Sequence, residues 1–259
     1  MSEWADLDRE LDAWGRAERT ATFWWRDDDA VTTTPALQRL LRTSVVDGQP
    51  VPLALAVIPA QADATLAQAL SAAGHVVALQ HGYAHANHAA ATAKKAEFGA
   101  GREAAPAELR AGAQRLRELF GERALPVLVP PWNRIDPALV ARLGELGLRG
   151  LSTYGPRPTQ RADADPIVVN THIDIIDWRG GRRFLGVQEC LQLTLGHLAA
   201  RRERRVDPAE ATGLLTHHLV HDEQAWSFLE VFSRHVRRHP AARWMDARQL
   251  FGCGGEEPA

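Results

Sequence analysis

Long hydrophobic runs are the first thing this chain lacks. Its 259 residues contain no stretch of about eighteen apolar residues, so no segment reads as a membrane-spanning helix. Residues 1–19 carry no apolar signal-peptide core, and the expected location is the cytoplasm. Cysteine is scarce as well. Cys190 and Cys253 lack CxxC spacing, which excludes a zinc knuckle and leaves free thiols as the expectation. An excess of one charge sign is also missing. Thirty Lys and Arg against thirty-two Asp and Glu give a net charge of −2 with no basic stripe, which excludes nucleic acid as a partner. There is no internal repeat and no Pro/Ser linker to divide the chain.

What the chain has is alternation of short apolar runs with amphipathic ones. Strands are predicted over 21–26, 51–59, 75–80, 127–129, 148–153, 167–176 and 213–219. Helices are predicted over 34–46, 62–73, 106–120, 137–146, 187–205 and 222–236. Val51 to Pro59 is almost continuously apolar, as in a strand buried on both faces of a parallel sheet. Thr34-Pro35 has N-cap and N1 chemistry. Seven strands alternating with helices predict an α/β fold, a parallel sheet closed or nearly closed into a barrel. A helical extension is expected over 1–20, where Trp4, Leu7, Leu11 and Trp14 recur at helical spacing. The barrel is expected over 21–251 and a flexible tail over 252–259.

Chemistry in such barrels sits at the C-terminal ends of the strands, and the polar clusters fall there. Asp27-Asp28-Asp29 ends the first strand; adjacent carboxylates repel unless a cation or hydrogen bonds compensate. His81 and His85 follow the third strand, with His88 seven residues along. His217 and His218 follow the last. Carboxylates and imidazoles from different strands form the donor set of a divalent metal, and a remaining carboxylate and histidine supply proton transfers. This predicts a mononuclear metallohydrolase. Strand periodicity puts Asp27 and Asp29 on one side and Asp28 on the other, unless the turn redirects them. Trp132 and Arg134 lie in a rigid Pro130-Pro131 loop. Trp25 and Trp178 lie near strand ends, where flat aromatics suit stacking on sugars. Asp174 or Asp177 is placed to buttress a histidine.

In this order the segments resemble the motifs of the polysaccharide deacetylase family (carbohydrate esterase family four, NodB homology). Phe23 to Ala30 is similar to the TFDDG segment. One register makes Asp28 the base and Asp29 a ligand; a one-residue slip makes them Asp27 and Asp28. His81-Gly82-Tyr83-Ala84-His85 matches H-[ST]-x-x-H with Gly in the second place. Val129-Pro130-Pro131-Trp132 matches R-x-P-[YW] without the Arg, for which Arg26 or Arg134 stands in. Asp177-Trp178 and Leu215-Thr216-His217 are similar to the fourth and fifth motifs. The resemblance spans about residues 21–220 and implies a distorted (β/α)₇ barrel in one domain.

It also implies a metal-dependent deacetylase acting on carbon–nitrogen bonds, removing an N-acetyl or similar acyl group from a small carbohydrate-like substrate. Zn²⁺ is the expected metal, held by Asp29, His81 and His85. Asp28 is the expected base and His217 the general acid with Asp177 as partner. Trp25, Trp132, Arg134 and Trp178 are the expected substrate contacts. Asp27, His88 and His218 are supporting or alternative residues. The competing readings are an allantoinase-like hydrolase of a non-sugar amide and a non-catalytic carbohydrate-binding barrel.

Overall fold

The computed structural model describes residues 3–159 and 165–253; 254–259, most of the expected tail, lie outside them. The central sheet is parallel throughout. Its strands are β1 (Ala21–Ala30), β2 (Leu53–Val57), β3 (Val76–His81), β4 (Ala124–Val129), β5 (Gly150–Leu151), β6 (Ile167–Val168), β7 (Ile173–Asp174), β8 (Thr212–Thr216) and β9 (Ala242–Trp244).

Strands β6 and β7 lie on one stretch of chain, and that stretch joins the two ends of the sheet. Its first half pairs with β5, through Ile167 N–H to Arg149 O (2.9 Å) and Val169 N–H to Leu151 O (3.1 Å). Its second half pairs with β8, through His172 N–H to Gly213 O (2.7 Å). The pairing path therefore returns to its start, and the fold is a distorted (β/α) barrel of seven strand segments, as the alternation of elements predicts.

Strand parity divides the core. Trp24, Ala54, Ala56, Val77, Leu79, Val127 and Val129 fill the inside. Phe23, Trp25, Leu53, Leu55, Val57, Val76 and Ala78 face the helices outside. The longer helices are α1 (Glu3–Arg16), α2 (Pro35–Thr43), α3 (Ala64–Ala72), α4 (Ala105–Phe120), α5 (Val187–Arg202) and α6 (Glu223–Arg238). Helix α1 buries Leu7, Leu11 and Trp14, one face at helical spacing, and Glu10 pairs with Arg202 of α5 at 2.8 Å. No helix among the described residues is long and apolar enough to cross a membrane.

Several predicted boundaries move. The helix expected over 34–46 stops at Thr43, because Asp47 and Gly48 (φ 50° and 74°) make a two-residue hairpin turn between Val45–Val46 and Gln49–Pro50. Only one α-turn, Pro137–Val140, forms within 137–146, where Gly144 and Gly147 weaken the helix. Strand β8 ends at Thr216, not residue 219, as the chain turns into a 3₁₀ turn over His218–Val220. Strand β9 was not foreseen; three residues are too few for a periodic signal.

Candidate active site

The parity that builds the core also sorts the polar residues. On β1, Trp24 points inward and Trp25 outward, so Arg26 and Asp28 face the barrel interior while Asp27 faces the helices. Asp27 is fully buried there. It accepts hydrogen bonds from Thr216 Oγ1 (2.6 Å) and His218 N–H (3.0 Å), and its Oδ1 lies 2.5 Å from His218 Nδ1. Burial by itself raises the Asp27 carboxyl, but the charge and hydrogen bond of His218 outweigh it and hold the pKa below the ordinary value. Asp27 and His218 thus form a closed pair behind β1 and β8, outside the cleft. On β8 the same alternation sends His217 inward.

Asp29 breaks the parity. Its φ of 71° is left-handed, and the register of β1 against β2 shifts between Asp27 and Ala30. This turns the side chain to the interior mouth, beside Asp28. There Asp29 Oδ1 lies 3.2 Å from His81 Nε2 and 3.5 Å from His85 Nε2, and it is buried with no hydrogen-bond partner. His81 Nδ1 lies 2.9 Å from Val129 O, a contact that places the proton on Nδ1 and leaves the Nε2 lone pair pointing at Asp29. Burial lowers the His81 pKa, yet the neighbouring carboxylates of Asp29 and Asp28 raise it overall. The field at this point therefore favours positive charge. Two imidazole nitrogens and an orphaned carboxylate oxygen fit a divalent cation.

Asp28 is held by Arg26. The guanidinium is fully buried and forks onto the carboxylate, Nε to Oδ1 at 2.8 Å and Nη2 to Oδ2 at 3.1 Å, while Nη1 donates to Ser152 Oγ at 2.6 Å. Residues two apart share a strand face, which is how one segment carries both partners. Arg134 does not take this place; its Nη1 donates to the Lys95 carbonyl at 2.8 Å. Opposite Asp28, His217 Nε2 lies 4.0 Å from Asp28 Oδ2, and its ring meets the Trp178 ring edge-on at 4.6 Å. Asp177 is not its partner, because Asp177 Oδ1 accepts the N–H groups of Arg179 (3.1 Å) and Gly180 (2.7 Å) in a turn. Asp174 also lines this cleft, and among the described residues His217 Nδ1 has no hydrogen-bond partner. Asp174 accepts Trp178 Nε1–H at 2.7 Å, and burial raises its pKa against the opposing charge of His217.

These groups line one cleft of about 940 Å³. Trp132 and Trp178 are on its walls, with Arg134 beside them. Trp132 itself is left-handed (φ 56°) and packs on His85 at 4.5 Å, so the His85 ring has a fixed backing. Two predicted residues are elsewhere. Trp25 is buried in the outer core, donating to Thr216 Oγ1 at 2.9 Å. His88 is exposed on the following loop and lines no part of the cleft.

Two contributors escaped sequence reasoning, Ser152 and Glu97. Buried Glu97 accepts the backbone N–H groups of Tyr83 (3.1 Å) and Ala84 (2.8 Å), so it shapes the loop carrying His85. It also explains Gly82 (φ 62°). A Cβ there would fall inside the Glu97 carboxylate and 2.7 Å from Pro131 Cγ. The Gly in H-[ST]-x-x-H was the available signal.

A second cluster, His172, His197 and Glu210, also brings metal-type donors together among the described residues. His172 Nδ1 accepts the Gly213 N–H at 3.0 Å, so its proton is on Nε2, which faces Glu210 Oε2 at 3.4 Å. The two rings are stacked, centroids 3.4 Å apart and 15° from parallel, so no ion lies in the plane of both. This cluster does not fit a cation.

No protein-family model matches the sequence, and no curated protein matches it. Solved structures do. A candidate polysaccharide deacetylase from Mycobacterium smegmatis superposes with a TM-score of 0.66 at 18% identity, over 90% of both chains. A family 4 acetyl xylan esterase from Clostridium thermocellum, solved with a cobalt ion, gives 0.53 at 12% identity over 90% of this chain and 91% of that one. The Xyl-CE4 domain of a multidomain xylanase, from the hindgut metagenome of Trinervitermes trinervoides, gives 0.51 at 11% over 91% of both. The chain has the fold of the polysaccharide deacetylases and family 4 acetyl xylan esterases.

Proposed function

We propose that this protein is a metal-dependent hydrolase of the polysaccharide deacetylase type, releasing an acetyl or similar acyl group from the nitrogen of a small carbohydrate-like substrate. One observation carries the reading. Asp29 Oδ1, His81 Nε2 and His85 Nε2 converge beside an Arg26-held carboxylate, Asp28, with His217 4.0 Å from that carboxylate. Solved structures of the same fold, one described as a candidate polysaccharide deacetylase and one as an acetyl xylan esterase, support it.

Asp29, His81 and His85 would hold the ion, Zn²⁺ by donor type, which supplies Lewis acidity toward the acyl oxygen and water. Asp28 is the base that takes the proton of the attacking water, and Arg26 fixes the orientation of its carboxylate. His217, whose Nε2 lies 4.0 Å from Asp28 Oδ2, gives a proton to the departing amine. Trp132 and Trp178 form the walls against which a sugar ring stacks.

The test is acetate release from chitooligosaccharides and N-acetylglucosamine, and ring opening of allantoin, by the Zn²⁺-reconstituted protein. Acetate release that a chelator abolishes and Zn²⁺ restores is the expected result. Turnover of allantoin alone would move the site to non-sugar amides. Stoichiometric metal without turnover of any substrate would leave a binding barrel and overturn the reading. His217→Ala should abolish amide hydrolysis while sparing an activated ester, whose leaving group needs no proton; an equal effect of His218→Ala would remove His217 from its role.

A further inference from the structure

The geometry points to an anionic substrate: an acylated sugar bearing a phosphate or carboxylate, gripped at the cleft rim by Lys95, Arg134, Arg179 and Arg182. This deepens the hydrolase reading and rests on it. All four residues line the cleft that holds Asp28, Asp29 and His217. None of them has a carboxylate partner among the described residues. Arg134 donates to a backbone carbonyl, Lys95 Nζ sits 5.9 Å over Trp132, and the Arg182 guanidinium sits 5.4 Å over Trp178.

The cleft carboxylates are engaged in other ways. Asp28 is paired with Arg26, and Asp29 faces two imidazoles. Asp174 accepts Trp178 and Asp177 accepts backbone N–H groups. Elsewhere on this surface arginines do find carboxylates, as in Arg39–Glu223 at 2.6 Å, Arg202–Glu10 at 2.8 Å and Arg238–Asp47 at 2.9 Å. A chain of net charge −2 thus collects four unpaired cations around one opening.

Gathered like charges repel one another, and a rim of cations that the cleft carboxylates do not pair attracts an anion. The arrangement also repeats on both walls, with Trp132 beside Lys95 and Arg134, and Trp178 beside Arg179 and Arg182. An aromatic face with an arginine fork next to it suits a sugar ring whose substituent is a planar or tetrahedral oxyanion. A neutral polymer offers these cations nothing.

Equilibrium binding separates this from the hydrolase reading, because it needs no turnover. The intact Zn²⁺-loaded protein is titrated with N-acetylglucosamine, N-acetylglucosamine 6-phosphate and N-acetylmuramic acid, followed by calorimetry. At least one anionic sugar should bind about ten-fold or more tightly than the neutral one, and that preference should shrink between about 20 mM and 500 mM salt. The doubly substituted Arg179→Gln/Arg182→Gln protein should bring the ratio close to one. Tighter binding of the phosphate identifies a phosphosugar, and tighter binding of the muramate identifies a carboxylate. Equal affinities, an unchanged ratio in the variant, or no binding of any of the three would overturn the inference. Anion preference without turnover would overturn the hydrolase reading alone.

Discussion

Two histidine–carboxylate clusters occupy this barrel, and they are built from nearly the same parts. Asp29, His81 and His85 gather at the C-terminal mouth of the strands; His172, His197 and Glu210 gather around the start of β8. In the first, the Val129 carbonyl accepts the Nδ1–H of His81 and leaves the Nε2 lone pair free. In the second, the Gly213 N–H occupies Nδ1 of His172 and forces the proton onto Nε2. The rings differ too, tilted by 54° in one and stacked at 15° in the other. Residue type and proximity therefore do not make a metal centre. The neighbouring backbone decides, by setting which nitrogen keeps its lone pair.

The sharpest way to break this contrast is metal content. Zn²⁺-reconstituted protein is expected to hold one equivalent, which His81→Ala loses and His197→Ala keeps. The affinity loss should exceed about 10²-fold, since even outer partners of metal ligands are worth roughly 10–100-fold. Equal metal loss in both variants would merge the clusters.

Next in size is the base. Asp28→Asn should lower kcat by about 10²–10⁴-fold while metal analysis still finds a full equivalent. Metal loss instead would show that Asp28 is itself a ligand.

The loop bearing His85 gives a third test. Gly82→Ser, which completes the H-[ST]-x-x-H pattern, should destabilise the fold by about 1–3 kcal/mol in urea unfolding, because Glu97 and Pro131 fill the space. Glu97→Ala in the same chain should relieve part of the crowding. A Gly82→Ser protein as stable as the parent would separate Glu97 from the choice of glycine.

The smallest effect concerns pH and the stacked cluster. Burial, with the charges of His172 and Arg201, depresses the His197 pKa to about 2. Below about pH 6.5 the unfolded chain binds a proton at His197 that the folded chain refuses, so stability is full above that pH and falls as pH falls toward the folded value. The slope from this group is on the order of 1 kcal/mol per pH unit. Denaturation midpoints between about pH 6.5 and 4.5 should vary less steeply in His197→Asn than in the parent. An unchanged slope would mean that His197 titrates normally.

Much of this was legible in the sequence because strand side chains alternate with a period of two. That rule, with the order of the motifs, puts Arg26, Asp28, His81 and His217 on one face and Asp27 and His218 on the other. The strand–helix alternation likewise yields the barrel. What escaped was whatever depends on backbone sign or on distance across the fold. Asp29 reaches the cleft only because its φ is positive, which the register slip against β2 brings about and no side-chain pattern records. Trp25 sits next to inward residues yet faces the helices, and His88 is carried away by a loop whose course Glu97 sets from fourteen residues beyond Tyr83. The substitute for the missing arginine was in view as Arg26 or Arg134; the choice fell to Arg26 because packing buried it against Asp28 and Ser152 and left Arg134 at the rim. Local periodicity determined which residues face inward. Tertiary packing, by setting each buried donor's partner, decided what they do there.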